Sequence, residues 1–302
     1  MGSTETRRRC ATEPAERANL FVMGRRASLF FAFLLLTPLF APIAPAGATE
    51  PAAENYLVAA EDSGDVLTVG DSPFLGSLSD SDVTTDVVDI ISTATGDGYL
   101  LITDDGGVHT FGDAVFRGSM GAYELASPVV AATLTASGNG YWLAAADGGI
   151  FSFGDARFHG SLGDVDLNSP IVAIAATPTG AGYWMAAADG GIFAFGDATF
   201  HGSTGNITLN QPIVGMAATP TGNGYWLVAS DGGIFSYGDA TFHGARPMAD
   251  GPGVTALVTS ELGNGYVVVR FDGGAEAFGA ANVPSQGSIA TGDDRVVAAL
   301  RC

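Results

Sequence analysis

The chain has 302 residues, 47% hydrophobic and 10% aromatic, with 32 acidic against 12 basic residues, no lysine and a formal net charge of -20. So acidic a chain repels phosphate and lacks the Lys/Arg footprint of a nucleic-acid binder, and its apolar content is enough for a core, which excludes an intrinsically disordered polymer. The 43 glycines are about twice the usual ~7% and follow no three-residue period, which excludes collagen and points to many tight turns.

Arg25 and Arg26 precede an apolar run from Ala27 through Phe40, followed by the small-x-small site Ala46-Gly47-Ala48. This pattern predicts a signal peptide over residues 1–48, with Met23 as an alternative start, and hence export to the cell surface or beyond. Pro38, Pro42 and Pro45 break the run short of the ~20 residues a membrane span needs. Cleavage before Thr49 removes six arginines against three glutamates and deepens the charge from -20 to -23. Cys10 leaves with the leader, so Cys302 would be the only thiol and no internal disulfide could form.

Residues 49–302 form one domain of six repeats of about 42 residues. Tyr56, Tyr99, Tyr141, Tyr183, Tyr225 and Tyr266 mark them, at spacings of 43, 42, 42, 42 and 41. Within a central copy, short strands are expected at Ile171 to Thr177, Tyr183 to Ala188, Gly191 to Phe195 and Thr199 to Gly202. They are separated by Thr-Pro-Thr-Gly, by the hairpin Asp189-Gly190-Gly191 and by the turn Gly196-Asp197. Tyr183 and Trp184 are adjacent and point to opposite strand faces, so both faces are buried. Four-stranded sheets covered on both faces at this period describe an all-β, six-bladed β-propeller, with a β-solenoid as the alternative. The mature chain opens on the second strand of a unit, and Val296 to Leu300 resembles the first strand Val129 to Ala132. The C-terminal strand is therefore expected to pair with the first blade and close the ring.

The motifs Gly224-Tyr225-Trp226-Leu227, Asp231-Gly232-Gly233-Ile234-Phe235 and Tyr237-Gly238-Asp239-Ala240 resemble the tandem repeats of secreted actinobacterial proteins. A looser similarity is to RCC1-type propeller repeats, which implies a fold and not chromatin binding. The first and last units depart from the pattern: Asp62-Ser63-Gly64-Asp65 carries an extra residue, and Ala280 stands where the Gly-Asp aspartate is expected.

Several residue sets invite chemistry. His159, His201 and His243 recur at one repeat position, but symmetry holds them too far apart for zinc ligands at ~2.0 to 2.1 Å. Asp105, Asp147, Asp189, Asp231 and Asp272 recur at the hairpin. Asp favours such turns by bonding nearby backbone. With Asp164 and Asp166 they also make one end acidic, a candidate surface for calcium or cationic partners. Asp71, Asp113, Asp155, Asp197 and Asp239 form a second turn series. Trp142, Trp184 and Trp226, with their tyrosines, are read as packing between blades rather than as carbohydrate platforms. The expected axial strands offer Val, Ala, Ile and Thr, with no His or Glu, and no Gly-x-Ser-x-Gly, P-loop or His-Glu-x-x-His motif occurs. The expectation is a monomeric, non-enzymatic, secreted module that binds a cell-envelope glycan or protein and needs no cofactor unless calcium. The alternative is a propeller hydrolase or lyase with a metal-dependent site at the acidic channel mouth.

Overall fold

The computed structural model describes residues 57–69, 73–79, 81–247, 253–281 and 295–301. The leader, Asp71 and Cys302 lie outside them. The described residues contain strands and no helix: β1 (Leu57–Glu61) and β2 (Val66–Val69); β3 (Val87–Ser92), β4 (Gly98–Thr103) and β5 (Val108–Gly112); β6 (Val129–Leu134), β7 (Gly140–Ala145) and β8 (Ile150–Gly154); β9 (Ile171–Ala176), β10 (Gly182–Ala187) and β11 (Ile192–Gly196); β12 (Ile213–Ala218), β13 (Gly224–Ala229) and β14 (Ile234–Gly238); β15 (Val254–Thr259), β16 (Gly265–Arg270) and β17 (Ala275–Gly279); and β18 (Val296–Arg301). They form six three-stranded antiparallel sheets, five from consecutive strands and one in the order β18-β1-β2. The pairing of β18 with β1 runs from Leu57 opposite Arg301 to Glu61 opposite Val296.

Local chemistry sets each hairpin. Between β7 and β8, Gly148 adopts φ 82°, and a Cβ there would lie 2.6 Å from the Leu162 Cβ, so the turn requires glycine twice over. Asp147 steadies it by accepting the Gly149 N–H at 2.9 Å. The ladder that follows pairs Gly140 with Gly154 and Tyr141 with Phe153, and the other complete repeats follow the same register.

The expected fourth strand is not a strand. Thr199 to Gly202 makes no ladder; side chains hold it in place. The Trp184 indole Nε1–H donates to the Thr199 carbonyl at 2.8 Å, and the Tyr225 hydroxyl accepts the His201 N–H at 3.1 Å. Gly202, at φ 131° with the Tyr237 ring where its Cβ would be, leaves the conformation that a ladder needs. The four-stranded expectation is therefore corrected to three strands plus a tethered segment.

The middle strands β4, β7, β10 and β13 are buried along their whole length on both faces. The tryptophan of one sheet meets the tyrosine of the next: ring centroids lie 5.5 Å apart for Trp142 and Tyr183, 5.9 Å for Trp184 and Tyr225 and 6.1 Å for Trp226 and Tyr266. Aromatic pairs of this kind contribute ~0.5–1.5 kcal/mol beyond their area. The first strands lie side by side: β3 between β18 and β6, β9 between β6 and β12, and β15 between β12 and β18. Their inward positions line a common cavity of about 210 Å³.

Candidate functional site

The hairpin aspartates serve their own turns first. A carboxylate oxygen accepts the N–H two residues on, from Gly107 to Asp105, Gly191 to Asp189 and Gly274 to Asp272 at 2.9 Å, and from Gly233 to Asp231 at 3.0 Å. Asp105 also accepts the Thr103 hydroxyl at 2.6 Å, and Asp272 the Arg270 Nε–H at 3.0 Å. Asp164 and Asp166 are exposed on the turn that follows β8. One carboxylate per hairpin does not converge: among the described residues no group of three His, Cys, Asp or Glu is placed to hold a metal.

The second aspartate series does more than turn the chain. Asp197 accepts the Thr177 hydroxyl at 2.9 Å and also the Thr179 hydroxyl, clasping the loop that precedes β10. Asp155 does the same with Thr135 and Ser137. The Ser137 hydrogen bond, ahead of the opposing effect of burial, holds its carboxyl below the ordinary range. The sequence signal for this clasp is a correlated loss: the sixth repeat has Ala280 at the aspartate position and Leu262 at the second hydroxyl position.

The three equivalent histidines sit in separate seams, His159 against Trp142 and Tyr183, His201 against Tyr225, and His243 against Trp226 and Tyr266. They are packing residues. The tryptophans are fully buried and offer no platform to a ligand. The recurring exposed aromatics are instead the phenylalanines one residue before the histidine position. Phe74, Phe116, Phe158, Phe200 and Phe242 are 60, 55, 61, 56 and 57% exposed. Sequence reasoning missed them, although a phenylalanine recurs at this fixed repeat position.

One of these rings shares a depression with one of the candidate aspartates. Asp189, Phe193 and Phe200 line a depression of about 350 Å³ with Asn168, Ser203 and Asn206, and Asp189 also borders a second depression of about 270 Å³ with Asn210 and Gln211. An exposed ring face beside a carboxylate, two amides and a hydroxyl suits a ligand with an apolar C–H face and a rim of hydroxyls.

Among the described residues, the central cavity is lined by one ionisable side chain. Asp89 lies just after a bulge in β3, where the register skips from Val87 to Asp89, and the counterparts after the same bulge are Ala131, Ala173, Gly215, Ala256 and Ala298. Its carboxylate accepts the Ile90 N–H and, across to the next sheet, the Ala132 N–H, both at 2.8 Å. Burial pushes its pKa up to about 7, against the pull of those two N–H groups. Sequence reasoning passed over Asp89 because the axial strands otherwise alternate small apolar residues.

No protein-family model and no curated protein sequence matches the chain. Among solved structures, the β-propeller domain of Cps50 (Swd1) from Myceliophteria thermophila superposes with a TM-score of 0.52 at 12% identity, covering 78% of this chain and 82% of that one. The fold is that of a β-propeller. At this identity the likeness speaks for the fold alone. Among the described residues no helix is long and apolar enough to cross a membrane.

Proposed function

We propose that the protein is a secreted, non-enzymatic propeller module that binds a cell-envelope glycan through the Asp189–Phe200 depression. The propeller fold fits a binding role in general. The observation that carries the glycan reading is the exposed Phe200 ring sharing one depression with Asp189, Asn168 and Asn206. The same exposed phenylalanine recurs on four other sheets, which suits a repetitive polymer better than a unique small molecule. The pairing of β18 with β1 and the six first strands around one cavity support a ring of six blades, in which the first and last strands complete each other. Export rests on the leader over residues 1–48 and the family resemblance on the repeat motifs.

The test is an array of bacterial envelope glycans probed with the full chain and with Phe200→Ala and Asp189→Asn. Binding that both variants lose supports the reading, with Tyr123→Ala, exposed elsewhere, as the control. Absence of glycan binding, or binding that both variants keep, overturns it, and release of shortened glycan would favour the hydrolase or lyase alternative.

A further inference from the structure

Asp89 is the only acidic or basic side chain lining the central cavity among the described residues; the others there are Val, Ala, Ile, Leu, Met, Gly and Thr. Asp89 is half-buried, a charge held partly out of water with no countercharge beside it is disfavoured, and the five counterpart positions show that the fold is satisfied by alanine or glycine.

Capping the Ala132 N–H does not account for the aspartate. At Ile174, Met216 and Leu257, which occupy the register of Ala132 in their own sheets, no side chain of the described residues accepts that N–H. The strand itself therefore does not call for the carboxylate, since its five counterparts form the same bulge without one.

The cavity supplies further ligands. Each first strand pairs with one strand only in its sheet, so its other edge turns backbone N–H and C=O groups toward the neighbouring first strands. Two of them are reached by side chains from the adjacent sheet, the Ala132 N–H by Asp89 and the Val297 carbonyl by the Thr255 hydroxyl at 2.7 Å. Volume is sufficient as well: about 210 Å³ is room for several waters, or for an ion with part of its hydration shell.

We propose that the central cavity is an alkali-cation site, with the Asp89 carboxylate as its anionic ligand and water and free first-strand carbonyls completing the oxygen shell. Charge selects the valence. One carboxylate balances one positive charge, whereas a calcium ion would leave an uncompensated charge in the same cavity and calls for more carboxylates. The site is separate from the hairpin aspartates and does not depend on the glycan reading.

The experiment is thermal unfolding of the full chain at pH 8 and constant ionic strength, with choline chloride replaced stepwise by KCl, NaCl or a low concentration of CaCl2. The wild type is expected to gain several degrees as K⁺ or Na⁺ reaches ~100 mM, since a ligand of the folded state alone stabilises by mass action. Asp89→Ala, which installs the residue of four counterparts, is expected to fold and to lose that gain. Asp89→Asn provides an isosteric neutral variant and is expected to lose it too. A wild type indifferent to K⁺ and Na⁺, a gain that survives in either variant, or a response to calcium alone would overturn the assignment.

Discussion

The Tyr225 hydroxyl crosses from one sheet to the tethered segment of the sheet before it and donates to the Gly202 carbonyl at 2.6 Å while accepting the His201 N–H. The same pair of bonds joins Tyr141 to Arg117 and Gly118, and Tyr266 to His243 and Gly244. Where a fourth strand would have run a ladder, one phenol per seam satisfies a donor and an acceptor together.

Tyr225→Phe leaves both backbone groups in a seam without their partner. The expected cost is about 1–3 kcal/mol, read as a lower urea midpoint with an unchanged slope. Tyr123→Phe, on a residue that is 66% exposed, is expected to stay within about 0.5 kcal/mol of wild type.

The Asp197 clasp predicts a gain of function in the repeat that lacks it. Ala280→Asp alone places a carboxylate beside Ser260 without the second hydroxyl, whereas Ala280→Asp with Leu262→Thr rebuilds the arrangement seen at Thr177, Thr179 and Asp197. Leu262 is 81% exposed, so its loss removes little packing. The double variant is expected to be about 1 kcal/mol more stable than the sum of the single effects, measured as the coupling term of a double-mutant cycle.

These two devices show where the sequence was legible. The six-fold period, the Asp-Gly-Gly hairpins and the burial of Tyr183 and Trp184 on opposite faces follow from local rules, because each depends on residues within one strand or turn. The tethered segment misled, since Thr199 to Gly202 has strand-like composition and only the contact of Gly202 with Tyr237, 35 positions along the chain, shows why no ladder forms. Of the candidate site, Asp189 was legible as a recurring acid, but its partnership with Phe200 depends on how two turns meet. Asp89 was missed because periodic reading rewards what repeats and overlooks a single exception.

For the glycan surface, multivalency separates two outcomes. Phe200→Ala is expected to weaken a short oligosaccharide about tenfold, equivalent to ~1.4 kcal/mol, as read by calorimetry. Phe158→Ala and Phe242→Ala, whose rings are 61 and 57% exposed on other sheets, are expected to spare the short ligand yet weaken retention on the polymer. Equal loss on both ligands for all three would mean that the rings act on one shared site.

Protonation of Asp89 gives a pH dependence opposite to that of an ordinary paired carboxylate. In the unfolded chain the group titrates near ~3.9, and in the fold burial raises it to about 7. Between those values the folded state holds a proton that the unfolded state has released, so stability falls as pH rises through this window and levels off above it. The interval corresponds to at most about 4 kcal/mol at ~1.4 kcal/mol per unit. Groups such as Asp155, held below the ordinary range by the hydroxyls of Ser137 and Thr135, act in the other sense, and their contribution is lost only as pH falls through their lower folded value. The informative quantity is therefore the difference between wild type and Asp89→Ala, measured by urea unfolding at steps from pH 4 to pH 8 in choline chloride. The variant is expected to match the wild type near pH 4 and to exceed it by a growing margin toward pH 8. Adding K⁺ at pH 8 is expected to narrow that margin, and at pH 4, where the carboxyl is protonated and carries no charge for a cation to balance, to leave it unchanged. A constant difference across the range would place the effect of the substitution in packing and not in charge.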